Sequence, residues 1–490
     1  MKIRGRIMFT GKYEVEYIDN EEELYWIKDS SISNKSDDGI YPKNITNVGN
    51  GKSVIVYRVS EDGNKTAVAR LACIDYEKLE TMFLEGKEIN LNYAYIDCFS
   101  WYRNIKNYRE SETVEFDSFQ ACCSLWVGSD TKNTRVDFWK MRVKNGNMSF
   151  TDSVFYKIDI NIATVYIPDG RMRFEECSFY NSEVNISNVI CRTREKLLET
   201  ITFARSVFKN SDLIITMIRS NISISLLCLK MTGGSVRLEF VMNMDELVIF
   251  GADIENMQIN HSKIEDFNLQ HTSVRNIKLK KCKLYGHCEM KFTASKKIEI
   301  IDCSVNSILH LDAGDGIEKF SIEGMINNGR IEFINTDKII DVMKKNKDSS
   351  QFLVMKENFK LLGQNREEDI CYLEYRRLEN KNIKGSKRIV DSIVGITSGY
   401  GTKPQWMLIT VLLSIVAFAT VYYTVPYISF GHAKTYIDYL YVSGITYFTV
   451  GYGDITPLNS LTKLVVLLES FVGISSMSYL LVVLSRKIIR

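Results

Sequence analysis

From about residue 86 to 332 apolar side chains return every five positions, most cleanly between Ala252 and Leu284. Ile254, Ile259, Ile264, Leu269, Val274, Leu279 and Leu284 make one row at this spacing. Two residues before each lies a second inward candidate: Ala252, Met257, Ser262, Phe267, Thr272, Ile277 and Cys282. Small and large side chains alternate along that second row. The register returns in Phe150, Phe155 and Ile160, in Phe174, Phe179 and Val184, and in Phe203, Phe208 and Leu213. Ser153, Cys177 and Ser206 are among their upstream partners. A repeat of this kind sets the architecture before local propensity does. With two inward side chains per step and three turned outward or cornering, it predicts a parallel β-solenoid. Four steps would close a roughly square coil, and stacked coils would bury a continuous ladder.

The flanking segments have other patterns. Residues 1–85 read as strands and loops, as in Tyr13-Glu14-Val15-Glu16-Tyr17, and predict a β-rich cap. Over 333–381 the spacing of Phe352, Met355, Phe359 and Leu362 becomes helical, with Ser349 or Ser350 available as a cap. Gly363-Gln364-Asn365 interrupts it, and Arg366 to Lys381 continues with Cys371, Tyr375 and Leu378 on one side. This predicts a helical hairpin, either a cover for the open ladder or a coupling element between the solenoid and the apolar C-terminal region. Residues 382–403 are a basic juxtamembrane linker holding Lys384, Lys387, Arg388 and Lys403. Ile389, Ile393 and Ile396 share one helical face within it, which suits an interfacial helix or a plain linker. Gly399-Tyr400-Gly401 is expected to be a flexible joint.

The remainder, 404–490, is the most apolar part. Trp406 to Val425 is long enough as a helix to cross roughly 30 Å of hydrocarbon. Pro404 suits its first turn and Pro426 its end, so an outer helix is placed at 404–426. Trp406, Tyr422, Tyr423 and Tyr427 would anchor its interfaces. A second span lies within 459–486, and a short helix, 436–448, precedes Thr449-Val450-Gly451-Tyr452-Gly453-Asp454.

That hexapeptide resembles the selectivity filter of potassium channels, and the span–helix–motif–span order resembles their two-helix pore domain. The resemblance implies K+ held by the carbonyls of Thr449, Val450, Gly451 and Tyr452 and by the Thr449 hydroxyl, oxygens that replace the ion's hydration shell. Gly451 and Gly453 would take positive φ angles, with Asp454 closing the motif. One motif per chain then implies a homotetramer. The resemblance also implies a gating hinge at Gly473, for which close helix packing is the alternative. Phe448 departs from the hydroxyl residue that many relatives carry before the first filter threonine. Glu469, an ionisable group inside an apolar span, is expected to support the filter by hydrogen bonding to Ser443 or Thr446. Tyr439, Tyr441 and Tyr447 suit either an aromatic collar or interfacial anchoring. The solenoid resembles pentapeptide-repeat proteins in a degenerate form, with Ala252-Asp253-Ile254 nearest to their usual flavour. An irregular right-handed β-helix is the competing description.

Charge adds direction. Seven Lys and Arg lie between Arg376 and Lys403, and Arg486, Lys487 and Arg490 come after the second span. The loop between the spans and the adjoining start of the second carry only Lys434 and Lys463, so both termini are expected in the cytoplasm, with the protein in the plasma membrane. Eleven dispersed cysteines and a start without an apolar run agree with a cytosolic solenoid, and Cys122-Cys123 reads as strand filler. The net charge of +2 gives no sign of a nucleic-acid partner. No Arg-rich apolar segment precedes the pore, which excludes a voltage sensor of that type. His261 and His271, two steps apart, fit outward corners or a ligand or sensor role; no clustered acids suggest catalysis. No catalytic residue, resident metal or cofactor is expected beyond the permeant ion.

The expectation is a potassium-selective tetrameric channel in a lipid bilayer, regulated or assembled by its solenoid through an unknown cytosolic ligand or partner. The alternative is a membrane-anchored binding protein in which conduction is secondary. Because the sequence ends just after the second span, control is expected through the 382–403 linker and outer helix or through contacts with the C-terminal tail.

Overall fold

The structure, a computed structural model, describes residues 12–20, 25–26, 45–60, 62–105, 113–128, 135–144, 146–168, 170–191 and 200–488. The chain divides into two compact units, 1–342 and 343–490.

The first unit opens with a small antiparallel sheet. Strands β1 (Lys12–Ile18), β2 (Tyr25–Trp26), β3 (Gly49–Val59) and β4 (Lys65–Ile74) pair as β1–β3, β3–β4 and β2–β4. β4 also pairs in parallel with Ala94–Asp97, so this sheet supplies the first rung of the ladder beyond it. Helix α1 (Tyr76–Glu85) starts where the Asp75 side chain accepts from the Glu77 and Lys78 amides, and stops at Gly86, whose φ is 73°. Its Phe83 meets Trp101 of α2 (Cys98–Asn104) and Phe116 edge-on.

Beyond residue 89 the described strands pair in parallel, forming a β-solenoid of about ten turns. One buried column runs Phe119, Met148, Met172, Ile201, Ile224, Leu247, Phe267, Cys288, Leu309, Ile331. Coil length is read directly from it. From Leu247 to Phe267 the chain advances twenty residues, four steps of five, in the stretch where the period is clean. From Met172 to Ile201 it advances twenty-nine. Outside the clean stretch the solenoid is irregular.

The alternation of small and large residues has a local cause. Gly251, His261, His271 and Lys281 have φ of 63°, 50°, 51° and 54°, so every second step turns a tight left-handed corner. The residue just after each corner is small: Ala252, Ser262, Thr272, Cys282. Three of these also satisfy carbonyls. Ser262 Oγ donates to Asn260 O at 2.9 Å, Thr272 Oγ1 lies 2.9 Å from Gln270 O, and Cys282 Sγ lies 3.1 Å from Ile259 O. His261 and His271 sit at corners as expected, against Phe240 and Phe250 of the preceding coil.

Inside, aromatic rings continue from coil to coil. Phe150, Phe174 and Phe203 stack at 4.7 and 4.6 Å, and Phe155, Phe179 and Phe208 at 4.7 and 4.3 Å. Burying each ring is worth about 1.5–3 kcal/mol, and each stacked pair adds about 0.5–1.5 kcal/mol.

Helix α3 (Thr336–Asn346), which the periodicity does not reveal, comes after the last strand. In the second unit α4 (Ser349–Leu361) packs on α5 (Asn365–Asn382), the expected hairpin. Its cap is Asp348, whose carboxylate accepts from Ser350 N at 2.9 Å, in place of Ser349 or Ser350. Linker residues 386–398 form α6 (Ser386–Ser398). Three consecutive left-handed residues come next, Gly399, Tyr400 and Gly401 at φ 57°, 55° and 80°. Residues 398–402 are buried and hydrogen-bonded to one another, so this segment is a pinned turn where the sequence suggests a flexible joint. Three helices complete the unit: α7 (Pro404–Thr424), α8 (Tyr436–Tyr447) and α9 (Ser460–Ile488).

Candidate functional site

α7 and α9 are long and apolar enough to cross a membrane. α8 packs against both. Tyr422, Ile428, Phe430 and Val442 form one buried cluster with Tyr439, Ile455 and Val466 around it; Val411, Ile415 and Tyr447 form a second with Leu440 and Val472. α8 starts with a reciprocal cap: Asp438 accepts from the Thr435 amide while Thr435 caps the third helical residue. The connections are tied as well. Ser429 N donates to Thr462 Oγ1 at 3.0 Å, Asn459 Nδ2 to Tyr427 O at 2.7 Å, and Gly431 N to Thr456 O at 2.9 Å.

The segment 449–454 leaves the carbonyl end of α8 and stays anchored to it. Thr449 N donates to Thr446 O at 3.0 Å, and Val450 N to Ile445 O at 2.8 Å. φ is positive at Thr449 (59°), Gly451 (56°) and Gly453 (80°), every second residue. Such alternation turns successive carbonyls toward one side of the strand. A Cβ at Gly451 or Gly453 would meet nothing within 4 Å, so backbone conformation and not space calls for glycine there. Thr449 is β-branched at a positive φ, an unusual state that sequence reasoning does not anticipate. Within one chain the whole segment is exposed, Tyr452 by 73%.

Other candidates meet behind this segment. Glu469 of α9 is fully buried and accepts from Ser443 Oγ of α8 and from Tyr422 Oη of α7, so one carboxylate joins three helices. Of the two expected partners it is Ser443, and not Thr446, that bonds to it. Tyr422 escapes sequence reasoning because its position reads only as an interfacial anchor. Tyr447 is buried, with its hydroxyl 2.7 Å from Ser476 Oγ. Gly473 faces the Tyr447 carbonyl, and α9 passes through it unbroken.

The three tyrosines do not converge within one chain. Tyr447 reaches α9, Tyr441 Oη donates to Asp454 Oδ2 at 2.9 Å, and Tyr439 packs between Tyr423 and Phe430.

At the other end of α7, Asp391 of α6 gathers an ion pair from Arg376, a 2.7 Å bond from Asn380 Nδ2 and a 3.1 Å bond from Tyr400 Oη. Burial, then the Asp391 carboxylate, raise the Tyr400 phenol above its ordinary pKa. Ile389, Val390, Ile393 and Ile396 remain exposed on α6. Lys403 lies 3.9 Å over the Trp406 ring where α7 begins.

Residues 410–490 match a family model described as "Ion channel", a stretch holding most of α7 and all of α8. No curated protein and no solved structure matches the chain. The C-terminal part of this chain is an ion channel domain with two helices apolar and long enough to cross a membrane, and an N-terminal parallel β-solenoid precedes it in the sequence.

Proposed function

We propose that four copies of the chain assemble a potassium-selective pore, each giving one 449–454 segment to a shared axis. The observation that carries this reading is the alternating backbone at Thr449, Gly451 and Gly453, exposed along its length in a single chain. Carbonyls turned to one side need other strands opposite them to surround an ion, and a symmetric ring supplies these. Thr449, Val450, Gly451 and Tyr452 hold K+ as cargo, and Asp454, held by Tyr441, closes the outer end. The carbonyl end of α8 faces the same region and favours a cation there. Glu469 and Tyr447 support the segment from behind.

The charge distribution favours cytoplasmic termini in the plasma membrane, which puts the solenoid in the cytosol as the part that assembles or regulates the pore. Purified full-length protein in liposomes tests the reading. Potassium or rubidium flux is expected, with sodium strongly disfavoured, and Gly451→Asp is expected to abolish it. Flux surviving in that variant rejects the filter.

A further inference from the structure

We propose that Glu368 and Asp369, near the start of α5, latch the cytoplasmic end of α9 and so couple the α4–α5 hairpin to the pore. Both residues are almost wholly buried, at 4% and 7% exposure. Carboxylates are rarely this enclosed unless cations accompany them. The cations come from the far end of the sequence: Lys487 Nζ lies 2.9 Å from Asp369 Oδ2, and Arg486 lies 3.5 Å from Asp369 and 4.0 Å from Glu368. The Arg486 guanidinium also sits 4.9 Å over the Tyr372 ring, one turn along α5. Acids in the first turns of one helix thus meet bases in the last turn of another, where each charge also complements its own helix dipole.

A second contact holds α9 two turns higher. Tyr479 Oη and Ser398 Oγ are 2.9 Å apart, at the end of α6. The turn at Gly401 lies against Tyr479, Val483 and Arg486, where a Cβ would make ordinary contacts of 3.6–3.8 Å, so it is the φ of 80° and not crowding that calls for glycine. α5, the 398–402 turn and α9 therefore form one joined cluster, to which Asp391 ties α6 through Arg376 and Asn380.

A purely stabilising junction would be better served by apolar packing, because desolvation offsets most of a buried pair's attraction. What such a pair adds is a defined and reversible geometry. Placed at the end of α9, it lets a displacement of the hairpin release or pull the helix that lines the pore. This inference rests on the proposed conduction by α7–α9.

The test uses full-length protein in liposomes, reading potassium flux and the potassium-to-sodium ratio. Asp369→Asn and Lys487→Gln are each expected to change flux by about threefold or more, the scale of coupling residues outside a ligand site, with selectivity unchanged. The exchange Asp369→Lys with Lys487→Asp is expected to return flux toward the wild-type value. Lys487 is the more exposed partner, so Lys487→Gln tests the same pair if the Asp369 variants fail to fold. Unchanged flux in the single variants, or changed flux that the exchange does not restore, overturns the latch while leaving the pore reading intact. A wild-type protein without potassium flux overturns both.

Discussion

The backbone carbonyl of Tyr447 in α8 seats directly on Gly473 of α9: a Cβ at residue 473 would overlap the carbonyl oxygen and lie 3.0 Å from its carbon. The same tyrosine reaches Ser476, one turn along, through its hydroxyl. Tyr447 is two residues from Thr449, so this double grip fixes where the 449–454 segment begins. Gly473→Ala is expected to overpack the contact at a cost of about 1–3 kcal/mol, lowering both the melting temperature of the purified protein and its ion flux. Ser476→Ala removes one hydrogen bond, about 1 kcal/mol, without overlap. A Gly473→Ala protein that gates differently but melts like wild type would favour the hinge role.

Glu469 supports a prediction about pairs. Glu469→Leu removes the acceptor from Tyr422 and Ser443, yet Ser443 keeps a second partner, the Ile415 carbonyl at 2.8 Å. The buried Tyr422 hydroxyl is the group left without one, at about 1–3 kcal/mol. Glu469→Leu is therefore expected to destabilise the protein, and Tyr422→Phe added to it to recover part of the loss. Glu469→Gln, which keeps an acceptor oxygen, is expected to be milder than Leu. The melting temperatures of wild type, Glu469→Leu, Tyr422→Phe and the double variant give the coupling; equal losses in the single and double Leu variants reject it.

Both layers of this chain were legible where one physical constraint acts repeatedly. Apolar residues five apart became the buried lining of each coil because every face of a coil turns toward the same interior, and two apolar runs became helices of spanning length. Irregular coils were less legible, since a coil extended from twenty to twenty-nine residues keeps its inward contacts while losing its period. The left-handed backbone of the corners was hidden for another reason. Residues as different as Gly251, His261 and Lys281 occupy them, and only the small residue just after each is constrained. Tyr422, Glu368 and Asp369 escaped notice because their significance lies in partners 47 and more than 100 positions away, which no local pattern encodes.

The aromatic ladder makes the solenoid's energetics local. Phe174 is fully buried between Phe150 and Phe203, so Phe174→Ala is expected to cost about 3–5 kcal/mol. Each coil contacts mainly its neighbours. Amide exchange should accordingly quicken at 148–151 and 201–204, which pair with the Phe174 strand, and stay unchanged at 319–323. Phe240→Ala is the control, because that ring lies at an exposed corner against His261. Uniform quickening along the whole solenoid would show a single cooperative unit instead.

Asp159, Glu183 and Asp212 stand in register on three successive coils. Arg237 pairs with Asp212 at 3.1 Å. Burial raises the Asp159 carboxyl, which Arg135 partly offsets; burial and then the Asp159 charge raise Glu183. The folded chain therefore binds more protons than the unfolded chain just above the ordinary carboxylate range, near pH 4, and stability falls as pH rises through that window. Glu183→Gln removes one charge of the ladder. It is expected to raise stability at pH 7 by about 0.2–1 kcal/mol, the scale for like charges across paired strands. At pH 4, where the native acid is already largely neutral, the gain should shrink toward zero. A gain of equal size at both pH values would assign the effect to packing and reject the charge ladder as its source.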